Sequence, residues 1–229
     1  MNFKIMLLEN RNILVCGASG LIGRAVVETC TQEGAIVTGV SRSTEPHDID
    51  LCSATFFPLE ISVKTRAKFQ EIIEHADPPF DGLVNCIGYW WGPGALSVMK
   101  NFDIERHLAL VSGALAIYSA LTSILSKIDT LVSFVQVNGV GAAKDIPGST
   151  SVSAQDAYID RLFTGEAKAL SFDNIEMVQL AIHGRVSESE DRANFSAAQI
   201  GRAIACLLSQ KEVLMNMDEL LHLARVFSY

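Results

Sequence analysis

The sequence has few positive charges, and they form no cluster. Its 229 residues contain 18 Lys and Arg against 26 Asp and Glu, which gives a net charge of −8 at pH 7. Proteins that bind nucleic acid generally group Lys and Arg to neutralise backbone phosphates. The composition therefore argues against a nucleic-acid partner.

Features of secreted, metal-binding and membrane proteins are also scarce. The five cysteines are odd in number and form no CxxC pair, so we expect neither a disulfide framework nor a metal site. The first ten residues lack the long apolar region of a signal peptide, which makes the cytoplasm the expected location. Residues 108–126 carry no charge, but serines and threonines dilute the run. We interpret it as a buried helix and expect no membrane partner.

Hydrophobic residues make up 49% of the chain and charged residues 19%, enough to bury a full core. Apolar strand-like runs alternate with helical patterns over residues 1–229, which predicts a single doubly wound α/β domain with a parallel sheet of about seven strands. The predicted strands cover residues 12–17, 35–41, 48–52, 81–87, 130–137, 176–182 and 213–217. The predicted helices cover residues 21–32, 63–76, 104–127, 153–172 and 197–209.

A glycine-rich turn follows the first predicted strand directly and precedes a helix. Glycine spacing of this kind allows a tight turn and lets the backbone approach a pyrophosphate, which then lies on free N–H groups of the helix. The alternative is ordinary packing of a strand against a helix. On the first interpretation the cofactor-binding residues are Gly17, Ser19, Gly20, Leu21, Ile22 and Gly23.

The second predicted strand ends in Ser41, Arg42 and Ser43. An NAD site usually has an acidic residue here that holds the ribose 2′-hydroxyl. A guanidinium between two hydroxyl groups instead suits a 2′-phosphate. The sequence thus predicts NADP(H) as the cofactor, and a solvent-exposed loop arginine is the alternative.

With these motifs the chain resembles the short-chain dehydrogenases/reductases (SDRs) over nearly its full length. Residues 81–88 (DGLVNCIG) resemble the family's D-x-L-V-N-N-A-G strand, and residues 48–51 resemble the segment that holds the adenine. The resemblance implies a Rossmann-type domain, a small-molecule substrate, and a homodimer or homotetramer formed through the uncharged helix around residues 108–126. It also implies further cofactor contacts by Asp50, Leu51, Asn85, Cys86, Ile87, Gly88, Gly184 and Val186.

The resemblance fails at the family's Asn-Ser-Tyr-Lys tetrad, in which Tyr transfers the proton and Lys lowers its pKa. The corresponding residues are Leu110, Gln136, Val152 and Asp156. In a second alignment Tyr158 is the catalytic tyrosine, but Leu162 then replaces the lysine. Neither alignment preserves a Tyr-x-x-x-Lys pair, so we expect an atypical active site.

Four residues are candidates for the missing chemistry. Asp156 is a candidate acid, base or counter-ion. The alternative is that it is only a carboxylate in the first turn of a helix, where the helix dipole favours negative charge. The Gln136 amide either binds a substrate carbonyl or only forms hydrogen bonds within a loop. Tyr158 is a candidate because the second alignment places it at the position of the catalytic tyrosine. His183, where the family has proline, either shuttles protons or has a structural role.

Three aromatic residues, Tyr89, Trp90 and Trp91, follow the Asn85–Gly88 segment. They either stack on a flat or cationic substrate or pack in the core. Together these features predict an oxidoreductase that reduces a C=O, C=N or C=C bond. The alternatives are a non-redox enzyme (a cyclase, isomerase or lyase) and a catalytically silent NADP-sensing protein.

Overall fold

A computed structural model describes residues 6–42, 54–58, 65–88, 99–125, 131–139, 150–169, 175–182, 186–188, 195–209 and 224–228. The strands are β1 (Asn12–Cys16), β2 (Ile36–Ser41), β3 (Ala54–Pro58), β4 (Gly82–Asn85), β5 (Val132–Gly139), β6 (Ile175–Ile182), β7 (Val186–Ser187), β8 (Phe195–Ser196) and β9 (Ala224–Ser228). The helices are α1 (Leu21–Gln32), α2 (Thr65–Glu74), α3 (Asn101–Leu125), α4 (Thr150–Ala169) and α5 (Ala197–Ser209).

Seven of these strands form one sheet in the order β3-β2-β1-β4-β5-β6-β9. The first six are parallel, and β9 pairs antiparallel with β6. The predicted doubly wound α/β fold with a parallel sheet of about seven strands is therefore confirmed, and the seventh strand, β9, adds an antiparallel edge. The strands predicted at residues 48–52 and 213–217 lie outside the described residues, whereas β3 and β9 were not predicted.

The sheet is covered on both faces, which explains the continuous Val, Ile and Leu runs of its central strands. On one face, α1 and α5 pack over a cluster that includes Ile13, Val135 and Ile204. On the other face, the cluster contains Phe134 of β5 together with Ile117 of α3. The alternation of side chains along each strand supplies both clusters from the same sequence runs.

α3 covers the uncharged run up to Leu125. Ala114, Ile117 and Ala120 are buried. The described ranges contain no helix with the length and apolarity needed to cross a membrane. The sequence therefore correctly indicated a helix that packs on the sheet.

The order of the strands determines where a site can form. β1 lies between β2 and β4, so the connections leave its two sides in opposite directions. In open α/β sheets the crevice at such a switch point, beyond the carboxyl ends of the strands, is where ligands bind. The loops that follow β1, β2, β4 and β5 therefore define the region in which the predicted site residues must meet.

Candidate functional site

The glycine-rich turn after β1 requires glycine at two positions for steric reasons. Gly17 has φ +81°, and a Cβ there would lie 3.0 Å from the backbone carbonyl group of Cys86. A Cβ on Gly23 would lie 2.7 Å from the Gly17 carbonyl carbon and would overlap the Gly17 oxygen. The turn and the first turn of α1 therefore pack with their backbones in direct contact, as a phosphate-binding turn requires.

The N-terminus of α1 is open to an anion. Its N-cap, Gly20, makes no side-chain cap, and the Arg24 N–H is the first to bond within the helix, donating to Gly20 O at 2.8 Å. Ser19 and Gly20 are exposed, and Leu21 and Ile22 are half-buried. Uncapped N–H groups at the positive end of a helix dipole are a binding site for phosphate. These residues fit the pyrophosphate of a dinucleotide.

An ion pair brings a distant segment to the same helix. Arg24 Nη2 lies 2.9 Å from Glu188 Oε1, just after β7. Val186, a predicted cofactor contact, pairs with Phe195 and is half-buried beside this ion pair. The β7 segment therefore lies next to the phosphate-binding end of α1. Two other predicted site residues, His183 and Gly184, lie outside the described residues.

The end of β2 places a cation at the same edge of the sheet. Ser41 is buried, whereas Arg42 is exposed and forms no ion pair within the described part of the chain. An exposed guanidinium at the end of this strand is free to bind an anionic ligand group. The other residues predicted for this part of the cofactor, Ser43, Asp50 and Leu51, lie outside the described residues.

The segment after β4 is held by the Asn85 side chain. Its Oδ1 accepts the Ile87 N–H at 3.1 Å, while its Nδ2 donates to Gln136 Oε1 at 2.9 Å. Asn85 is almost fully buried, so its side chain shapes the bend and leaves Gly88 exposed. Burial raises the pKa of the Cys86 thiol well above its usual range, which makes this thiol unreactive. The predicted substrate residues Tyr89, Trp90 and Trp91 lie outside the described residues.

Gln136 is fully buried at the centre of a polar network in the sheet. Besides the Asn85 bond, its Oε1 accepts the Tyr118 hydroxyl proton at 2.8 Å. Its Nε2 donates to the carbonyl oxygen of Val137 at 2.6 Å. A buried amide with both ends bonded has no group to offer a substrate. This arrangement favours the structural interpretation of Gln136 over the catalytic one.

The residue at the carboxyl end of β5 is Asn138, which sequence reasoning missed. The predicted strand ended at Val137, whereas β5 continues to Gly139. Asn138 Nδ2 donates to the Asp156 carbonyl oxygen, and its Oδ1 accepts the Gly139 N–H, both at 3.0 Å. The side chain thus joins the end of β5 to α4. The Asn-Gly pair at the end of an apolar run was the available signal, because Asn and Gly commonly end strands.

Asp156 lies directly beside the end of β5. A Cβ on Gly139 would be 2.8 Å from Asp156 Oδ2, so glycine makes room for this carboxyl group. Burial raises the pKa of Asp156 from 3.8 to about 7. Within the described ranges, no ion pair or hydrogen bond to the carboxyl group offsets this burial. A carboxyl group that titrates near neutral pH suits acid–base work or charge pairing with a ligand.

Gln155, the preceding residue, is a second functional candidate that the sequence did not reveal. It is buried, and its Nε2 would lie 3.5 Å from a Cβ placed on Gly88. Its Oε1 is buried and accepts no hydrogen bond in the described part of the chain. Gln155 therefore extends the site from the end of β5 to the segment after β4.

The course of α4 discriminates between the two alignments of its first turns. Val152 is buried in the first turn, and Asp156 follows one turn later beside Gly139. Tyr158 lies two residues further, and residues at that spacing do not share a helix face. The arrangement favours the alignment with Val152 and Asp156 at the Tyr and Lys positions.

Because burial disfavours the charged form of Asp156, replacing it should stabilise the protein in a pH-dependent way. The folded-state pKa of about 7 exceeds 3.8, the usual pKa of an aspartate in an unfolded chain. The stability from the neutral carboxyl is therefore complete below about pH 3.8 and lost as pH rises through 7. Asp156→Asn replaces the carboxyl with an uncharged amide and so removes the loss of stability at high pH. We expect it to raise the free energy of unfolding at pH 8 by about 2 kcal/mol, after halving the full shift for partial exposure.

Urea denaturation at pH 4.5, 6 and 8 measures this effect. The difference between Asp156→Asn and the wild type should fall at pH 4.5 to about a quarter of its value at pH 8, because pH 4.5 is still slightly above 3.8. Asp160→Asn, one turn further along α4, is the matched control and should show no such pH dependence. An Asp156→Asn protein that is less stable than the wild type at pH 8 would contradict the assignment of a destabilising, desolvated carboxyl.

The fold and the site define a Rossmann-type α/β protein with a tight glycine turn before α1 and an isolated carboxyl at the carboxyl edge of its sheet. Residues 13–95 match the model of the NAD dependent epimerase/dehydratase family. No curated protein matches the sequence.

Solved structures match over most of the chain. MalC Reductase/Diels-Alderase from Malbranchea aurantiaca is 14% identical with a TM-score of 0.71, covering 90% of this chain and 92% of that one. A metagenomic short-chain oxidoreductase (SDR) in complex with NADP is 20% identical with a TM-score of 0.72, covering 90% and 93%. The NADH-dependent reductase A1-R′ complexed with NAD is 19% identical with a TM-score of 0.67, covering 88% and 90%. The predicted resemblance to the SDRs is confirmed: the chain has their fold.

Proposed function

We propose that this protein is an atypical NADP(H)-dependent oxidoreductase that reduces an activated C=O, C=N or C=C bond of a small molecule. The observation that carries the proposal is the pairing of two features at one sheet edge. The backbone of the glycine turn is built for a phosphate, and an isolated carboxyl, Asp156, stands where the end of β5 meets α4. The complexes of similar folds with NADP and with NAD support a nicotinamide cofactor.

The chain offers groups for each part of such a cofactor. The open N-terminus of α1 and the turn from Gly17 to Gly23 would hold the pyrophosphate, and Arg42 would pair with a 2′-phosphate. When bound, the cofactor supplies a hydride. Asp156, neutral below about pH 7, would give a proton to the reduced product or stabilise a positive charge on the substrate.

Several further assignments belong to the same proposal and rest on the sequence alone. Tyr89, Trp90 and Trp91 would form the rim of the substrate pocket, and His183 with Gly184 would border the nicotinamide. Tyr158 remains the reserve candidate for proton transfer. The expected cytoplasmic location is likewise a prediction.

Titration with NADPH and NADH, followed by turnover assays, tests the proposed function. Nicotinamide fluorescence reports binding, and absorbance of the reduced nicotinamide reports reduction of ketones, cyclic imines and conjugated alkenes. Binding of a reduced nicotinamide cofactor with turnover of at least one class supports the proposal. Tight binding without turnover on any class would instead favour the NADP-sensing alternative, and no binding of either cofactor would favour a non-redox enzyme.

We expect NADP(H) to bind more tightly than NAD(H) because of Arg42. A charge-assisted contact to phosphate contributes roughly 1.5–3 kcal/mol, which is about ten- to a hundredfold in affinity. Arg42→Ala should remove that preference and leave NADH binding nearly unchanged, as measured by calorimetry. Arg66→Ala, an exposed arginine on α2, is the control. Equal affinities for both cofactors in the wild type would refute the assignment.

We also propose that the chain forms a homodimer or homotetramer through α3. Ile104, Leu108 and Leu115 are between 44% and 57% exposed, and their spacing places them on one side of the helix. A stripe of three large apolar side chains typically marks an interface. Leu108→Glu should therefore dissociate the assembly in sedimentation experiments. Leu131→Glu, an equally exposed leucine before β5, should not. A wild-type species of only 24.8 kDa at high concentration would exclude this interface.

A further inference from the structure

The end of β5 and the start of α4 present hydrogen-bond acceptors that have no donors. Both polar atoms of the Asn138 side chain already form hydrogen bonds. Its amide nitrogen donates to the Asp156 carbonyl oxygen, and its oxygen accepts the Gly139 N–H. The two remaining groups are Gln155 Oε1, which is buried, and the Asp156 carboxyl. Neither has a donor in the described part of the chain. Buried acceptors normally find donors, so these two are available to a ligand that brings its own.

No described side chain supplies a positive charge to this pair of acceptors. β5 offers only the neutral Asn138 and Gly139 beside Asp156. α4 itself adds Tyr158, Asp160, Arg161, Glu166 and Lys168, of which the two cations are exposed five and twelve residues further along the helix and form no described ion pair with Asp156. The other helix that packs against α4 is α3. Its described titratable side chains are those of Asp103, Glu105, His107 and Tyr118.

None of these described α3 side chains is a counter-ion for Asp156. The Tyr118 hydroxyl donates to Gln136, and Asp103 accepts the Lys100 N–H. Tyr118 is one of the buried residues of α3 that pack against the sheet. His107 lies about three helical turns before it, and therefore far along the helix from that contact. The described ion pairs do not involve Asp156. A ligand at this position therefore meets the Gln155 amide oxygen and the Asp156 carboxyl, and both are acceptors once the carboxyl is ionised.

From this set of groups we propose that the substrate is a nitrogen cation, an iminium, with the Asp156 carboxylate as its counter-ion and Gln155 Oε1 as the acceptor where the nitrogen carries an N–H. The inference rests on the proposed function and names its substrate class. Once the Asp156 carboxyl is ionised it has only acceptors, and a ketone would present its own acceptor oxygen to it, which is unfavourable. A nitrogen cation pairs with the carboxylate, and one that carries an N–H also donates to Gln155 Oε1.

The chemistry of an iminium also matches the missing proton-transfer unit. When hydride adds to the iminium carbon, the electron pair of the C=N bond moves to nitrogen, which becomes a neutral amine. The reduced nicotinamide is oxidised in the same step. Charge and atoms balance without any proton from the protein, so neither a tyrosine nor a lysine is needed.

A pair of probes with the same shape and different charge tests the counter-ion role of Asp156, on which the inference depends. N-methyl-1-pyrrolinium is a permanent cation, and 1-methylcyclopentene is its neutral counterpart. Ligand-observed NMR titrations on protein saturated with oxidised NADP measure the affinity of each between pH 5.5 and 8.5. Neither probe titrates in this range, so any pH dependence comes from the protein.

The affinity for the cation should rise by about tenfold or more between pH 5.5 and 8.5, as the carboxyl becomes charged, while that for the alkene stays constant. Asp156→Asn should abolish the rise, and Asp160→Asn should retain it. A cation affinity that is independent of pH, or no stronger than that of the alkene at pH 8.5, overturns the inference. The comparison of the two probes on the wild-type protein decides this even if Asp156→Asn does not fold.

Binding of NADPH and NADH to the same protein without added cofactor, and a repeat of the probe titrations on it, separate the two proposals. If NADPH binds but the protein binds the cation no more tightly than the alkene, the proposed substrate class is wrong and the proposed cofactor role stands. If the cation binds in the pH-dependent way but neither NADPH nor NADH binds, the oxidoreductase proposal fails, and the site is a cation-binding site without redox chemistry.

Discussion

Gly23→Ala should abolish binding of the nicotinamide nucleotide and destabilise the fold by roughly 1–3 kcal/mol, the usual effect of overpacking a tight contact. The methyl group would overlap the Gly17 carbonyl oxygen and lie 2.7 Å from its carbon. Both obstacles are backbone atoms, so no side-chain rotation relieves the clash. The first turn of α1 must move away from the glycine turn, and the N–H groups that face the phosphate move with it.

Two other glycines provide matched controls for this substitution. Gly165 lies in α4 with nothing within 4 Å of a Cβ, so Gly165→Ala should stabilise the protein by about 0.5–1 kcal/mol and leave binding unchanged. At Gly20 the closest atom is the Gly17 oxygen at 3.2 Å, so Gly20→Ala should have a smaller effect than Gly23→Ala. Urea denaturation and NADPH titration measure both quantities. Wild-type affinity in Gly23→Ala would contradict the phosphate role of the turn.

The glycine turn was predictable from sequence because its constraints are local. Gly17 needs a positive φ, and Gly23 needs to lack a side chain six residues later, so the motif is complete within one strand–turn–helix unit. The helices with strong apolar periodicity were predicted equally well. α1 and α5 have the predicted bounds, since each presents one apolar face to the sheet.

The acceptor site was only partly predictable because it depends on contacts between distant elements. Gln136 was taken for the polar residue at the end of its strand, although it lies in the interior of β5. Its partners Asn85 and Tyr118 come from β4 and α3, which no local pattern reveals. Because this network holds Gln136 inside the sheet, the polar residue at the carboxyl end of β5 is Asn138. The candidate site therefore lies two residues further along the strand than the sequence indicated. The raised pKa of Asp156 likewise results from burial against Gly139 and not from its sequence neighbours.

The edge of the sheet shows the same limitation. β9 is short, contains Arg225, and pairs antiparallel with β6 through contacts from Val178↔Ser228 to Ile182↔Ala224. Nothing local to residues 224–228 specifies the partner or the direction of this strand. The direction depends on how the chain returns from α5, which is a long-range property of the fold.

The largest catalytic effect expected concerns alcohols. If the protein is a reductase, it should oxidise simple secondary alcohols at close to the background rate. Alcohol oxidation needs a base poised to take the hydroxyl proton and a nearby cation to stabilise the alkoxide that forms. Val152 and Asp156 stand at the positions of that pair, and no described cation accompanies Asp156. A single acid–base group typically contributes about 10²–10⁴-fold, so loss of the tyrosine and its lysine, with only the Asp156 carboxyl left and no described cation to hold the alkoxide, should leave little activity.

A panel of alcohols, ketones and cyclic imines, assayed with NADP(H), tests this prediction. We expect turnover of the activated imines, and Asp156→Asn should lower it by roughly tenfold or more while the protein stays folded. Asp160→Asn should retain wild-type rates, because that carboxyl lies one turn away from the site. Brisk alcohol oxidation by both the wild type and Asp156→Asn would place the active site elsewhere. Tyr158 would then be the first residue to replace, since it alone among the described candidates on α4 has a hydroxyl group able to exchange a proton with the substrate.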